Sequence, residues 1–213
     1  MTRKLLKALR LVAHSVRRVR ESPGPHQNQG TILDYWRRPN DGHNDPRNYV
    51  VSRGGHARSQ RQVDLVSGLA SPGSTIIELG CNVGRNLNYL FQVGFTRLTG
   101  GDINGDALEL LGETYPDMAA AAELRLGAPE DVVPTLPAHS CDVVFTMAVL
   151  QHVHPDSEWL FAGIARIARS FVVIWEVGNY QSERHFPRND KSTFSNLGLT
   201  QTRHTKGFRV FRK

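Results

Sequence analysis

Between residues 57 and 213, short apolar runs alternate with stretches whose apolar positions recur every three or four residues. The first such stretch, 57–70, places Val63, Val66 and Leu69 on one helical face. Ser71-Pro72-Gly73 ends it, and Ser-Thr-Ile-Ile-Glu-Leu at 74–79 reads as a short buried strand. A Gly-containing loop follows, then a helix over 86–93, a strand over 96–102, a helix over 105–114 starting near Asn104, and a strand over 123–126. Cys-Asp-Val-Val-Phe-Thr at 141–146 predicts a fourth strand, 156–168 a long helix, and 171–176 a fifth strand closed by Glu176. Strands that alternate with helices in this way predict a parallel sheet covered on both faces.

After Glu176 the period changes. Residues 178–187 read as a polar loop and 190–197 as a short helix. Strands over 199–204 and 208–212, joined at Lys206-Gly207, suit an antiparallel hairpin closing one edge of the sheet. Upstream of residue 57 the character differs. Leu5, Leu9, Val12, Val16 and Val19 recur at spacings of four and three, the stripe of an amphipathic helix. Residues 21–30 read as a linker, 31–38 as a short helix carrying Tyr35 and Trp36, and 39–47 as a turn-rich loop with Asp41-Gly42 and Asp45-Pro46. The chain therefore divides into 1–56, a basic helix with linker and cap, and 57–213, the main domain. The Tyr35-Trp36 pair serves either as part of a lid over a ligand or as core packing.

Composition narrows the class. With 213 residues and 39% apolar content, one domain plus an appendage can bury a sizeable core. No apolar run approaches the ~20 residues of a membrane span. Two cysteines exclude a disulfide scaffold and point to a reducing compartment. The formal charge of +6 is local: Arg3, Lys4, Lys7, Arg10, Arg17, Arg18 and Arg20 carry it, and without these seven, 19 basic residues face 20 acidic ones. The main domain is thus neutral on balance, and nucleic-acid binding is not implied. Lys7 and Arg10 interrupt any secretory signal, so the cytoplasm is the expected location. A basic helix over 1–20 can lie on an anionic membrane surface, dock on a partner, cover the domain's own apolar surface or mediate homo-oligomerisation.

The most informative stretch is Glu78-Leu79-Gly80-Cys81-Asn82-Val83-Gly84-Arg85-Asn86, at the end of the first strand. Glycines here let the backbone turn sharply and approach a ligand closely. Asn82 stands where a third Gly would be usual, and Asn tolerates a left-handed conformation best among side chains. A nucleotide oxidoreductase would need Gly where Arg85 stands.

Glu78-x-Gly80-x-Asn82-x-Gly84 resembles the first motif of class I S-adenosylmethionine-dependent methyltransferases, small-molecule and glycan O-methyltransferases among them. The resemblance covers residues 57–213 and implies a Rossmann-like, doubly wound, mostly parallel seven-stranded sheet. It implies S-adenosyl-L-methionine as cofactor, held by Glu78, Gly80, Asn82, Gly84 and Arg85. Asp102, in Gly101-Asp102-Ile103-Asn104, falls where the family places the acid for the ribose hydroxyls, with Ile103 beside it. An acceptor-only carboxylate can bridge both hydroxyls. The adenine-contacting loop corresponds to Gly127-Ala128-Pro129-Glu130-Asp131; the usual Asp is Ala128, so Glu130 or Asp131 is expected to substitute. The block 141–153, with Met147 and His152, also resembles the family, as do His185-Phe186-Pro187-Arg188 and 208–213.

In that family methyl transfer is a direct displacement, and the enzyme mainly aligns the reactants. A hydroxyl acceptor also needs a base. His152 is expected to act as general base or acceptor-orienting residue, with His154 and Glu176 at the same rim. Each of these has a structural alternative: a hydrogen-bonded ring or a strand-end acid. Tyr35, Trp36, His185 and Arg188 are expected to contact the acceptor, offering aromatic faces, hydrogen bonds and a cation suited to a saccharide or other polyhydroxylated small molecule. No metal is expected. Two other readings stand beside this one: an RNA or protein methyltransferase gripping its target with residues 1–20, and a non-catalytic cofactor-binding or assembly protein.

Overall fold

A computed structural model describes residues 25–39, 42–51, 53–177 and 181–213. The basic stripe over 1–20 lies outside the described residues. Seven strands form one sheet: β1 Thr75–Leu79, β2 Arg97–Asp102, β3 Glu123–Leu126, β4 Cys141–Met147, β5 Ala168–Trp175, β6 Thr200–Thr205 and β7 Phe208–Arg212. Their order is β3-β2-β1-β4-β5-β7-β6. The first five are parallel, while β7 runs antiparallel to β5 and β6 antiparallel to β7. The 206–207 turn between β6 and β7 has positive φ at both residues, 49° at Lys206 and 86° at Gly207, as a tight hairpin turn requires.

Nine α-helices are described: α1 Gln29–Arg37, α2 Pro46–Val51, α3 Arg53–Ser67, α4 Arg85–Gln92, α5 Gly105–Thr114, α6 Pro116–Ala121, α7 Pro129–Val132, α8 Trp159–Ile167 and α9 Asp190–Asn196. Successive strand residues face opposite sides of the sheet, so each strand feeds two cores. Ile77, Leu79, Val144, Val172 and Ile174 pack under Leu160, Phe161 and Ile164 of α8. Ile76, Val143, Phe145 and Val173 pack under Val63 and Val66 of α3 and Leu87 and Leu90 of α4. This alternation puts Glu78 on the α4 side of the sheet, two residues from Ile76.

Several predicted boundaries shift. The first domain helix begins at Arg53 rather than 57, and β5 begins at Ala168, so the preceding helix is shorter than 156–168. Pro155–Ser157 forms a separate 3-10 turn because His154 caps it and Pro155 occupies its first position. The loop predicted over 39–47 ends early: Pro46 opens α2. The sequence pattern predicts no helix at α6 or α7, each of which has Pro in its first turn.

Candidate active site

The chain crosses from β1 to β2 on one side while β4 lies on the other, so a crevice opens beyond the carboxyl ends of β1 and β4. A cavity of about 390 Å³ occupies it. This is within the size range of small-molecule sites. Its floor is the loop after β1, the ends of β2 and β4, and residues 128–130; α1, α2 and residues 184–185 complete the walls.

The loop after β1 is shaped by three left-handed residues: Gly80 (φ 75°), Asn82 (φ 47°) and Gly84 (φ 69°). A Cβ on Gly80 would come within 2.3 Å of Val149 Cγ2, so only glycine lets this loop pass under the loop after β4. The Asn82 backbone N–H donates to Asp102 Oδ2 at 2.7 Å, and the Asn104 N–H donates to Oδ1 at 2.9 Å. Burial pushes the Asp102 carboxyl above its ordinary range, and these N–H donors pull the other way. Both oxygens keep lone pairs for a ligand in the cavity that Asp102 lines.

Beside Asp102, Glu78 is fully buried. Its Oε1 accepts from Asn86 Nδ2 at 2.5 Å, while Glu78 Oε2 and Asn86 Oδ1 have no hydrogen-bond partner among the described residues. Burial raises the Glu78 carboxyl well above the usual carboxylate range, outweighing the Asn86 hydrogen bond. Each unsatisfied acceptor costs about 1–3 kcal/mol unless something else donates to it. Arg85 stands next to them. Its Nε donates to Ser59 Oγ at 2.9 Å and its Nη1 to the Tyr49 carbonyl, leaving Nη2 without an acceptor among the described residues. Acceptors for an ammonium, a guanidinium for a carboxylate and a braced carboxylate for a diol fit a ligand carrying an α-amino acid at one end and a ribose at the other.

The opposite end is aromatic. The His152 ring lies 4.5 Å from Trp36 and 4.3 Å from His185, centroid to centroid. Its Nδ1 is 2.8 Å from the Arg184 carbonyl oxygen. A carbonyl only accepts, so Nδ1 carries the proton and Nε2 carries the lone pair. Gln151 accepts from the Val177 N–H through Oε1, which turns its amide nitrogen toward His152 Nε2 at 3.3 Å. Burial drives the His152 pKa down to about 3, with His185 and Arg184 adding to the effect. The ring is neutral. His185, whose Nδ1 is 2.6 Å from Ser182 Oγ, is also shifted down, by burial and by Arg184.

Of the residues singled out in the sequence, Glu78, Gly80, Asn82, Arg85, Asp102, Ile103, Glu130, Met147, Trp36, His152 and His185 line this one cavity. Six do not. Gly84 faces the packing between helices, where a Cβ would lie 2.5 Å from Leu111. Asp131 accepts from the Ala128 N–H at 3.0 Å and caps α7. His154 accepts from the Asp156 N–H at 3.2 Å. Tyr35 sits behind Trp36, its ring 3.8 Å from the Arg184 guanidinium and its hydroxyl accepting from Asn44. Arg188 donates to the carbonyls of Leu150, Phe186 and Val153 and to Glu158, tying the loops together. Glu176 accepts three backbone N–H groups, from Val149 and Leu150 on Oε1 and from Gln151 on Oε2, at 3.0 to 3.3 Å. Burial nonetheless pushes its pKa up to about 8. Glu176 therefore braces the loop that carries Val149 and His152; it does not reach into the cavity.

The cavity also contains residues not anticipated. Arg58 and Tyr49 belong to α3 and α2, and Asn44 to the loop before α2. Ala148, with φ 57°, and Val149 form the turn after β4. Nothing in the Arg-Ser-Gln-Arg-Gln stretch around Arg58 distinguishes it from a solvated helix face. A signal for Gln151 did exist, since it adjoins His152. Among the described residues, no group of three or more His, Cys, Asp or Glu could hold a metal ion. Among the same residues, no helix is long and apolar enough to cross a membrane.

Residues 77–173 match the family model described as a methyltransferase domain. No curated protein matches the chain. The magnesium protoporphyrin IX methyltransferase of Synechocystis PCC 6803, solved with SAH bound, superposes with a TM-score of 0.68 at 16% identity, over 87% of this chain and 98% of that one. A geranyl diphosphate methyltransferase solved with SAM gives 0.62 at 13% identity, over 89% and 96%. A TehB-like SAM-dependent methyltransferase of Corynebacterium glutamicum ATCC 13032 gives 0.60 at 19% identity, over 82% and 100%. At these identities the likeness is one of fold.

Proposed function

We propose that this chain is a class I S-adenosylmethionine-dependent methyltransferase and that it methylates a hydroxyl of a saccharide or similar polyhydroxylated small molecule. The observation that carries the proposal is the pairing of two unlike ends in one cavity. One end offers unpartnered acceptors, Glu78 Oε2 and Asn86 Oδ1, beside Arg85 and Asp102. The other offers the ring cluster of Trp36, His152 and His185, with the amides of Asn44 and Gln151 along the wall.

When bound, S-adenosylmethionine supplies a methyl group made electrophilic by its sulfonium sulfur. Glu78 and Asn86 would hold its ammonium, Arg85 its carboxylate and Asp102 its ribose hydroxyls. Ile103 and Glu130, which line the same cavity as Asp102, would contact its adenine. Gly80 and the Ala148-Val149 turn shape the passage between the two ends. Glu176 fixes that turn through three N–H groups, and so positions His152 without touching the acceptor.

The Nε2 lone pair of His152 accepts from the Gln151 amide at 3.3 Å, a long contact that an acceptor hydroxyl would displace on being oriented by this ring. A pKa near 3 makes the ring a weak base toward an intact alcohol, which supports orientation over early deprotonation. The acceptor oxygen becomes strongly acidic only as its new bond to carbon forms, and at that late stage Nε2 can take the proton. Alignment of this kind is worth several kcal/mol in a displacement. The test is transfer of labelled methyl from S-adenosylmethionine to a panel of free sugars and sugar acids. Labelled methyl ethers are the expected product; label appearing only on RNA or protein offered in parallel would replace this reading.

A further inference from the structure

Arg58 is a cation with no counter-charge among the described residues. Its guanidinium lies 4.1 Å from the centre of the Trp175 ring and lines the cavity. It makes no hydrogen bond and no ion pair with any described residue. Partial burial lowers its pKa, and the charges of Arg85 and Arg61 add to the effect. A half-buried guanidinium beside like charges is costly unless an anion completes the site. Stacking on Trp175 fixes the plane of the fork and leaves its N–H edges for a bidentate partner.

The position of Trp175 decides which anion this is. Trp175 ends β5 and pairs with Met147 of β4, whereas Glu78 belongs to β1, on the far side of β4. Two strand spacings separate the backbones of β5 and β1, about 10 Å. The fork stacked on Trp175 therefore lies toward the β5 side of the cavity, while its α3 neighbours Gly55 and Ser59 lie against Arg85. The amino-acid end of the cofactor is already met by Glu78, Asn86 and Arg85. Among the described residues, the only carboxylates lining the cavity are Glu78, Asp102 and Glu130, all given to the cofactor; the lining around Trp36, His152 and His185 adds Gln151 and Arg184 but no acid. Glu176, the acid nearest in sequence to Trp175, is spent on backbone N–H groups.

We propose that Arg58 is a specificity residue that binds a carboxylate on the acceptor, so that the substrate is an acidic sugar or comparable hydroxy acid. This rests on the methyltransferase reading above and narrows it. The anchored carboxylate holds one edge of the ring on Arg58 while a hydroxyl faces His152.

The test titrates D-glucuronate and D-glucose into protein saturated with S-adenosylhomocysteine, comparing wild type, Arg58→Gln and Arg58→Lys. Glucuronate is expected to bind the wild type at least tenfold more tightly than glucose. Arg58→Gln removes that preference while S-adenosylhomocysteine affinity stays within twofold, and Arg58→Lys, which keeps the charge, retains a preference. Equal binding of the two sugars, no glucuronate binding, or a preference that survives Arg58→Gln overturns the proposal. So does a loss of more than tenfold in S-adenosylhomocysteine affinity in Arg58→Gln, which would assign Arg58 to the cofactor's carboxylate instead. Failure of the wild type to bind S-adenosylhomocysteine is seen before any sugar is added, and it removes the underlying methyltransferase reading rather than the role of Arg58.

Discussion

The Asn82 backbone N–H donates to the Asp102 carboxylate at 2.7 Å, joining the loop after β1 to the end of β2 across 20 residues of sequence. One carboxylate thus holds the loop's left-handed residue in place and faces the cavity. Asp102→Ala removes both functions. S-adenosylhomocysteine affinity is expected to fall at least tenfold, since a charge-assisted hydrogen bond contributes about 1.5–3 kcal/mol. Calorimetry on the folded variant checks this, and unchanged affinity would remove Asp102 from the site.

His152→Ala is expected to bind S-adenosylhomocysteine as the wild type does and to lose about 10²-fold in kcat, the low end of what a proton-transferring residue contributes. The wild-type rate should show no inflection near pH 6.5 from this ring, because its folded pKa is about 3. Stability carries the complementary signature. Between pH 6.5 and 3 the unfolded chain takes up a proton that folded His152 refuses, so this contribution is present above pH 6.5 and lost as pH falls. His152→Ala should flatten the acid limb of a stability-against-pH curve measured by denaturant unfolding.

Glu176 predicts the opposite slope. Its folded pKa of about 8 lies above the ordinary 4.5, so the folded protein keeps a proton that the unfolded chain releases. That contribution is present below pH 4.5 and lost as pH rises through 8. Glu176→Gln should remove this alkaline loss. It should also lower kcat, because one amide oxygen cannot accept from Val149, Leu150 and Gln151 together. A variant with wild-type kcat would show that the loop after β4 needs no brace.

Gly80 and Gly84 should separate under substitution by alanine. Both have positive φ, and strain of that kind costs about 1–3 kcal/mol. In Gly84→Ala the new Cβ meets Leu111 and Met118, so Tm falls while S-adenosylhomocysteine affinity is largely kept. In Gly80→Ala the clash is with Val149 across the cavity, so affinity falls as well. Equal losses of affinity in the two variants would contradict this division.

The strands and the loop after β1 were legible because adjacent residues determine them: apolar runs of four to six, then Gly80, Asn82 and Gly84 at fixed offsets. Asp102 was legible for the same reason, ending an apolar strand. The roles of Glu176, His154, Asp131 and Arg188 were not. Their side chains lie at the right rim but are consumed by backbone groups, and which N–H or carbonyl is left needing a partner is settled only when loops meet. Arg58 escaped for the converse reason. Its helix face reads as solvated, and only the packing of α3 against Trp175 turns it into the cavity. Short helices α2, α6 and α7 are held by proline starts and tertiary contacts rather than by a long apolar period.

The central claim is that the cavity beyond β1 and β4 holds S-adenosylmethionine. Titration of the purified protein with S-adenosylhomocysteine in a calorimeter tests it most directly. Saturable one-to-one binding in the micromolar range, weakened by Asp102→Ala, is the predicted result. A protein that is folded by circular dichroism yet releases no heat and shows no shift in Tm at millimolar S-adenosylhomocysteine would contradict it.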